Sequence, residues 1–180
     1  IRDRMWADFE RGKISQQELR SARFARLFAA IDLPAAAHAF SENYLINLGN
    51  VTDLIDGALE LMQALHGRHR LLLITNGIPE VQHARLSQSP LQDYFEAVII
   101  SGELGVAKPD PAIFDAAFQA MGQPDKSETL IIGDSLTSDI RGGLNYGIDT
   151  CWYNPHNRSS DPAIPATYQI QTLAQLPQLL

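Results

Sequence analysis

With 180 residues, the chain is long enough to bury one sizeable hydrophobic core, alone or with a small appendage. Its 45% of hydrophobic and 19% of charged residues exclude an intrinsically disordered chain, and no run approaches the roughly 18 apolar residues that a membrane-spanning helix needs. The net charge of −7 argues against a nucleic-acid groove and, mildly, against an anionic membrane surface, so a phosphate ligand would need a local positive cluster. Because Cys151 is the one cysteine, a disulfide framework is excluded and a cytoplasmic location is the default expectation.

Residues 1–50 are helical in pattern. The chain opens without an initiator Met, in a segment that already has helical character, so we expect it to be part of a longer protein. Ser15 and Glu18 have the spacing of a capping box at the start of a helix, and a break before Pro34 precedes another helix. The aromatic residues of this part are most simply core between packed helices. No strand candidate is found here.

From residue 51 onward, helical and strand patterns alternate. Apolar runs rich in β-branched residues predict strands at Leu71–Ile74, Phe95–Ile100, Thr129–Ile132, Ile148–Tyr153 and, more weakly, Tyr168–Ile170. Segments between them predict helices over residues 58–65, 79–87 and 111–121, with a last helix ending at residue 180. This alternation predicts an α/β fold with a Rossmann-like parallel sheet covered on both faces. The expected division is a partial helical cap over residues 1–50 and an α/β core over residues 51–180.

Two acids follow the strand at Thr129–Ile132. Asp134 lies at the strand tip. Asp139 lies in the first turn of a predicted helix, which Thr137 or Ser138 could cap. Open α/β sheets bind ligands at the carboxyl ends of their strands, and carboxylates usually hold hard divalent cations. The simpler alternative is an exposed turn with a capping Asp.

Two other loops carry groups that could bind phosphate. Thr75, Asn76 and Gly77 follow the first strand and offer a hydroxyl and the N–H groups of a tight turn. Alone, however, Asn-Gly is first of all a turn signal. Lys108 lies on a connection stiffened by Pro109, just before a predicted helix. Alone, it could equally be an ordinary surface lysine.

The charges explain why these loops would act together. A phosphate monoester brings about two negative charges near neutral pH, Asp134 adds one, and an attacking carboxylate would add another. Like charges about 4 Å apart repel by roughly 4 kcal/mol at an effective dielectric of 20, so such a pocket needs cations. Mg²⁺ on Asp134 and the ammonium of Lys108 would supply them, while Thr75 would orient the phosphoryl oxygens.

Three segments resemble, in order and spacing, the second, third and fourth motifs of the haloacid dehalogenase superfamily. They are Thr75-Asn76-Gly77, Val106 to Pro111 and Gly133 to Asp139. Two further runs, Leu91 to Phe95 and Cys151 to Asn154, are similar to the pyrimidine 5'-nucleotidases that act on non-standard nucleotides. Sialic-acid 9-phosphate phosphatases share much of the same sequence and are the main alternative to the nucleotidases. The resemblance covers nearly the whole chain.

This resemblance implies hydrolysis of a small phosphomonoester, either a nucleotide or a sugar phosphate, through an aspartyl-phosphate intermediate. Carried over by position, Thr75 would bind the phosphoryl group, with backbone contacts from Asn76 and Gly77. Lys108 would steady both the nucleophile and the phosphate.

The resemblance also implies a Mg²⁺ cofactor. Asp134 would ligate the metal, and Asp139 would support either the metal shell or the lysine. The helical residues 1–50 look like the cap that such enzymes insert after their first strand, and substrate specificity would reside in its side chains.

The superfamily's first motif, which carries the nucleophilic aspartate on the first core strand, has no match in residues 1–50. Asp3 and Asp8 lie in helical sequence without a preceding apolar strand, so neither is assigned as the nucleophile. We therefore expect the nucleophile and the first core strand to lie outside this chain. In the family topology that strand separates those of the second and fourth motifs, so Leu71–Ile74 and Leu130–Ile132 should not pair with each other.

Three other functions fit less well. A metal-free 2-haloacid dehalogenase of the same superfamily would have a neutral residue in place of Asp134. A receiver domain would have its acidic pair first and its lysine last, whereas Lys108 precedes Asp134. A non-catalytic phosphate-binding domain, inert without the first motif, remains open.

Overall fold

The computed structural model describes residues 2–180, without the side chains of residues 2, 3, 10, 16 and 21. The side chain of Asp3 therefore lies outside the described residues. The N-terminal helical region contains three helices: α1 (Arg2–Glu10), α2 (Gln16–Ala30) and α3 (Ala37–Gly49). The capping box is confirmed, because the Ser15 hydroxyl accepts the N–H of Glu18 and the Glu18 carboxylate accepts the N–H of Ser15.

Aromatic side chains join α2 to α3. Phe24 of α2 has its ring centroid 4.8 Å from that of Phe40 and 5.1 Å from that of Tyr44, both on α3. Phe24 is buried, but Phe40 and Tyr44 remain partly exposed. The predicted aromatic packing between helices is thus present, with one side open to solvent.

The rest of the chain alternates helices and strands: α4 (Ala58–Leu65), β1 (Leu72–Thr75), α5 (Pro79–Ser87), β2 (Ala97–Ile100), α6 (Ser101–Leu104), α7 (Pro111–Ala120), β3 (Leu130–Gly133), α8 (Arg141–Tyr146), β4 (Asp149–Tyr153) and β5 (Tyr168–Ile170). Short 3₁₀ turns occupy Gln92–Tyr94, Lys126–Glu128 and Leu173–Gln178, and a π-helical turn occupies Leu136–Ile140. The α/β class is confirmed. The expected C-terminal α-helix is instead the last 3₁₀ turn, which contains Pro177, a residue without a backbone N–H. None of the described helices is long and apolar enough to cross a membrane.

Within residues 2–180, the strands form two parallel sheets, ordered β1-β2 and β3-β4-β5. Ile74 is opposite Ile99 in the first sheet, and Gly133 is opposite Trp152 in the second. In the described chain β1 and β3 do not pair with each other, as predicted. At this open edge Ile132 of β3 is 39% exposed, which is unusual for an apolar strand residue in an α/β core.

Shared hydrophobic cores hold the two sheets in one layer. On one face, isoleucines from β1, β2 and β3 pack against α7; the residues in this core include Ile74, Ile99, Ile131, Ile113, Phe114 and Phe118. On the other face, Leu71 and Leu130 pack against a cluster that includes Leu65 of α4 and Cys151 of β4. The loops that follow β1 and β3 therefore lie at the same edge of the layer.

The N-terminal helical region packs on this layer through α3 and α5. Leu45 and Leu48 of α3 contact Ile78 and Val81 at the start of α5. Because α5 begins just after the loop that follows β1, this contact places the helical region beside that loop.

Candidate active site

Lys108 links the two sheets at their carboxyl edge. The residue is 8% exposed, and its Nζ donates to the backbone oxygen of Ile74 at 2.8 Å. The same ammonium lies 2.7 Å from Oδ1 of Asp139. Ile74 belongs to β1 and Asp139 follows β3, so one charged group connects both sides of the unpaired edge. A carboxylate and a carbonyl offset the desolvation of the buried ammonium, and the ordinary surface lysine is excluded.

Asn76 holds the backbone of Lys108 at two points. Its side-chain Nδ2 donates to the Lys108 carbonyl at 2.8 Å, and its Oδ1 accepts the Lys108 N–H at 2.7 Å. The donor and the acceptor of the amide are thus both satisfied by one residue of a distant loop. The loop after β1 therefore sets the position from which the Lys108 side chain enters the site.

Asp139 is anchored through both oxygens of its carboxylate. Oδ1 faces Lys108, and Oδ2 accepts the N–H of Ser135 at 3.0 Å. The residue is 6% exposed. It lies in the π-helical turn Leu136–Ile140, which Ser135 caps by accepting the N–H of Ser138 at 3.2 Å. The predicted caps Thr137 and Ser138 are therefore wrong, because the turn begins earlier than the sequence pattern suggested.

Gly133 allows the Asp139 carboxylate to approach β3. A Cβ built on Gly133 would overlap the carboxyl group of Asp139. Any larger residue would push that carboxylate away from its place against Lys108. Glycine is thus required at the end of β3 because the Asp139 carboxylate lies so close to it, and not because the backbone has an unusual φ angle.

Asp134 lies at the tip of β3 and is exposed. Its backbone oxygen accepts hydrogen bonds from Trp152 Nε1 at 3.1 Å and from Arg158 Nη2 at 2.8 Å. The backbone of the residue is therefore fixed by neighbouring groups, while the residue remains accessible to solvent. This combination suits a carboxylate that meets a ligand from solution.

Thr75 and Gly77 flank Asn76. Thr75 ends β1, where it lies opposite Ile100 of β2, and it is half-buried. Gly77 is buried, and a Cβ there would overlap the side chain of Gln82. The structure thus brings the predicted phosphate-binding residues into the loop that contacts Lys108.

The two carboxylates and the ammonium sum to one net negative charge, before the guanidinium of Arg158 beside Asp134 is counted. Asp134 and Asp139 contribute two negative charges and Lys108 one positive charge. An incoming phosphate monoester would raise the negative charge further, so a cation is needed. No group of three or more His, Cys, Asp and Glu side chains with metal-binding geometry occurs in the part of the chain that the structure describes.

The available oxygen donors nevertheless fit Mg²⁺ in part. Mg²⁺ is usually bound by one or two carboxylates together with water and substrate phosphate. The exposed carboxylate of Asp134 fits the role of one such ligand. Both oxygens of Asp139 already have partners, so its contacts favour support of Lys108 over direct metal ligation. The metal role predicted for Asp139 stays a prediction.

Sequence reasoning missed three contributors to this site. The side chain of Asn76 positions Lys108, although only backbone contacts were predicted for Asn76. Trp152 and Arg158 bind the carbonyl of Asp134 and were given no role. No local signal identifies these long-range contacts, since the residues involved in them are 18 to 32 positions apart.

Comparison with known proteins agrees with the geometry. The family model of the haloacid dehalogenase-like hydrolases matches residues 4–147. The chain is 36% identical over 176 residues to pyrimidine 5'-nucleotidase YjjG of Escherichia coli (strain K12), covering 98% of this chain and 77% of that protein. It is 39% identical over 173 residues to pyrimidine 5'-nucleotidase PynA of Streptococcus pneumoniae (strain ATCC BAA-255 / R6), covering 96% and 73%.

Two further proteins are similar to the chain. A crystal structure of the HAD-hydrolase YfnB from Bacillus subtilis, bound to magnesium, superposes with a TM-score of 0.92 at 36% identity, covering 99% of this chain and 78% of that one. N-acylneuraminate-9-phosphatase of Mus musculus is 35% identical over 130 residues, covering 71% of this chain and 52% of that protein. The match to the nucleotidases thus extends over more of the chain than the match to the sialic-acid phosphatase.

Proposed function

The chain belongs to the haloacid dehalogenase-like hydrolases, an enzyme family, and we propose on this premise that its site hydrolyses small phosphomonoesters with Mg²⁺ through an aspartyl-phosphate intermediate. The observation that carries the proposal is the place of the Lys108 ammonium. It is buried at the carboxyl edge of the layer, between the carbonyl of Ile74 and the carboxylate of Asp139. A fixed positive charge at this edge is what a phosphoryl group requires.

In the proposed reaction, an aspartate carboxylate attacks phosphorus, the bond from phosphorus to the ester oxygen breaks, and that oxygen takes a proton from water and leaves as the alcohol. Water then releases phosphate from the aspartyl-phosphate. The ammonium of Lys108 would stabilise negative charge on the phosphoryl oxygens, held in place by Asp139. We propose that the attacking aspartate comes from the first family motif, which residues 1–50 do not contain.

The loop after β1 would bind the phosphoryl group. Thr75 would donate its hydroxyl, and the N–H groups of Asn76 and Gly77 would contact the phosphoryl oxygens. Because the Asn76 side chain already holds Lys108, this loop and the lysine form one preorganised unit. Preorganisation lowers the cost of aligning donors with the reacting group.

Mg²⁺ would be held by the Asp134 carboxylate, with further oxygen ligands from water and from the substrate phosphate. Such a cation supplies charge neutralisation for the phosphate in the reaction. Asp139 would hold the ammonium of Lys108 in place, and contact with the metal shell would be the lesser role of its carboxylate.

A cavity next to the phosphate loop is the proposed site of the leaving group. Its volume is about 400 Å³, within the range of small-molecule sites. The lining is mixed and includes Gln17, Arg20, His38, Glu42, Ile78 and Glu80. Ile78 directly follows Gly77, so the cavity begins one residue from the proposed phosphate contacts. We propose that the N-terminal helical region acts as the cap over this cavity.

The polar lining suits a leaving group with many hydrogen-bonding groups. Arg20 of α2 forms ion pairs with Glu42 of α3 and with Glu80 of α5, so one guanidinium joins the proposed cap to the core. A nucleoside or a sugar could bind in such a place. We propose pyrimidine 5'-nucleotides as substrates, because the similarity to YjjG and PynA extends over nearly all of the chain.

A sugar phosphate is the second candidate, on the basis of the shorter match to N-acylneuraminate-9-phosphatase. The test is a substrate panel with the N-terminally extended protein. It would contain pyrimidine nucleoside monophosphates, sugar phosphates and a 2-haloacid. The highest kcat/KM on a pyrimidine 5'-monophosphate would support the proposal, and the highest value on a sugar phosphate would favour the second candidate. Release of halide without release of phosphate from any ester would contradict both.

A further inference from the structure

The turn after β4 contains the same pair of asparagine hydrogen bonds that holds the backbone of Lys108. Asn154, which is fully buried, follows β4 as Asn76 follows β1. Its Nδ2 donates to the Arg158 carbonyl at 2.9 Å, and its Oδ1 accepts the Arg158 N–H at 2.9 Å. In both loops the amide of an asparagine at the strand end holds the backbone of a basic residue at two points.

The side chain of Arg158 reaches the candidate site. Its Nη2 donates to the backbone oxygen of Asp134 at 2.8 Å, and its guanidinium lies over the ring of Trp152, 5.7 Å from the ring centroid. Trp152 Nε1 donates to the same oxygen at 3.1 Å. The carbonyl of Asp134 therefore accepts two hydrogen bonds, one from Trp152 of β4 and one from Arg158 in the turn after β4.

These contacts hold the peptide between Asp134 and Ser135, on which two parts of the site depend. Asp134 is exposed, and the following residue, Ser135, binds Asp139 through its N–H. A shift of the Asp134 peptide would move the Asp134 carboxylate and also the donor that orients Asp139. Trp152 is nearly fully buried, so it is a firm support for the guanidinium.

We propose that Arg158 is a positioning residue of this site, which together with Trp152 fixes the Asp134 peptide and thereby the direction in which the Asp134 carboxylate meets a divalent cation. The part concerning the cation rests on the function proposed above. The part concerning the peptide does not. The guanidinium charge alone would repel a cation, so its benefit must come through the hydrogen bond.

The first measurement is hydrogen exchange in the 180-residue chain. Arg158→Met removes the donor and the charge but keeps an unbranched apolar side chain. We expect about tenfold faster exchange of the amides of Ser135 and Ser138, because the supported loop opens more often. Arg85→Met is the matched control. Arg85 lies on α5 and also donates to a backbone carbonyl, that of Val51, at 2.8 Å. Unchanged exchange of the two amides in Arg158→Met would overturn the inference, whatever the metal does.

The second measurement is Mg²⁺ affinity by calorimetry in the N-terminally extended protein. Loss of an outer-shell contact typically weakens metal binding roughly 10- to 100-fold, and we expect about tenfold for Arg158→Met. Arg158→Lys, which keeps a donor, should recover most of the affinity. Trp152→Phe removes the other donor without changing any charge, so weaker binding in this variant supports positioning over a charge effect.

The outcomes separate the two proposals. If Arg158→Met and Trp152→Phe bind Mg²⁺ as tightly as the unmodified protein, the inference about the cation is wrong and the proposed function stands. If the unmodified protein binds no Mg²⁺, the metal part of the proposed function fails, and hydrogen exchange alone decides whether Arg158 positions Asp134.

Discussion

The Lys108 ammonium and the Asp139 carboxylate lie 2.7 Å apart with side chains only 11% and 8% exposed. They belong to loops on opposite sides of the unpaired edge between β1 and β3. Burying both charges is costly unless each keeps its partner. This pair therefore couples the stability of the carboxyl edge to the chemistry proposed there.

Replacement of Asp139 should be strongly destabilising. Asp139→Asn leaves a buried ammonium without its carboxylate, and we expect the free energy of unfolding to fall by roughly 3 kcal/mol. Urea unfolding would measure the change. Glu103→Gln is the control, because Glu103 pairs with His83 at 2.6 Å on the exposed surface, where such pairs contribute little. Equal, small effects of both changes would contradict the role of the buried pair.

Replacement of Asn76 tests the link between the loops. Asn76→Ala removes the donor and the acceptor that serve the Lys108 backbone, and leaving both groups unsatisfied costs about 2–6 kcal/mol in total. We expect a loss of unfolding free energy in this range and a lower kcat in the extended protein, because the lysine loses its support. Asn50→Ala, at an exposed position after α3, should change neither. A variant of Asn76 with unchanged kcat would show that Lys108 does not depend on this contact.

A side chain at position 133 should displace the carboxylate of Asp139 from Lys108. Gly133→Ala would force its Cβ against the Asp139 carboxyl group, and overpacking of this kind typically costs about 1–3 kcal/mol. The expected result is lower stability with a larger loss of activity. Asp139→Gly as a second change removes all the clashing side-chain atoms, including Cβ, so the stability cost of Gly133→Ala should be smaller in that background. A strictly additive double mutant would contradict the proposed clash.

Cys151 should be unreactive in the folded protein. Burial raises the pKa of its thiol to about 11 from an ordinary 9.0. The thiol stays protonated in the folded state between these values, so its contribution to stability is complete below pH 9 and is lost as pH rises towards 11. At pH 8 the thiolate fraction should be about 100-fold lower than in the unfolded chain, and a thiol reagent should react at least that much more slowly. Reaction of the native protein at the rate of the urea-unfolded chain would contradict this, with Cys151→Ser giving the background.

Much of this fold is predictable because its strands are short apolar runs ended by turn residues. The boundaries of β1 and β3 lie within one residue of their predicted positions, and α5 was placed at Pro79–Ser87 from its proline and its polar end. α6 was missed because four residues, SGEL, are too few to show a period. The apolar spacing of the C-terminal turn predicts a helix, but spacing alone does not reveal its 3₁₀ hydrogen bonding.

The site was predictable in its residue types but not in its internal contacts. Lys108, Asp134 and Asp139 follow from charge and loop position, yet the sequence cannot tell which acid serves the lysine. The amides of Asn76 and Asn154 act across chain separations that no local pattern encodes. Ser135, Thr137 and Ser138 are equally suited to cap a turn, so the choice among them depended on where the turn begins.

The open edge between β1 and β3 carries its own prediction. In the N-terminally extended protein, a strand between them should pair with both and cover Ile132, which is 39% exposed here. Hydrogen exchange at the amide of Ile132, which faces away from β4, should then be much slower than in the 180-residue chain. Identical exchange in the two forms would argue against a strand at this edge.

Phosphate release from a pyrimidine 5'-monophosphate, with and without Mg²⁺, tests the central claim most directly. We expect the N-terminally extended protein to release phosphate only with Mg²⁺, the 180-residue chain to release none, and Lys108→Ala and Asp134→Asn to lower kcat roughly 100-fold or more. Near-unmodified rates in both variants, or equal turnover by the 180-residue chain, would contradict the account.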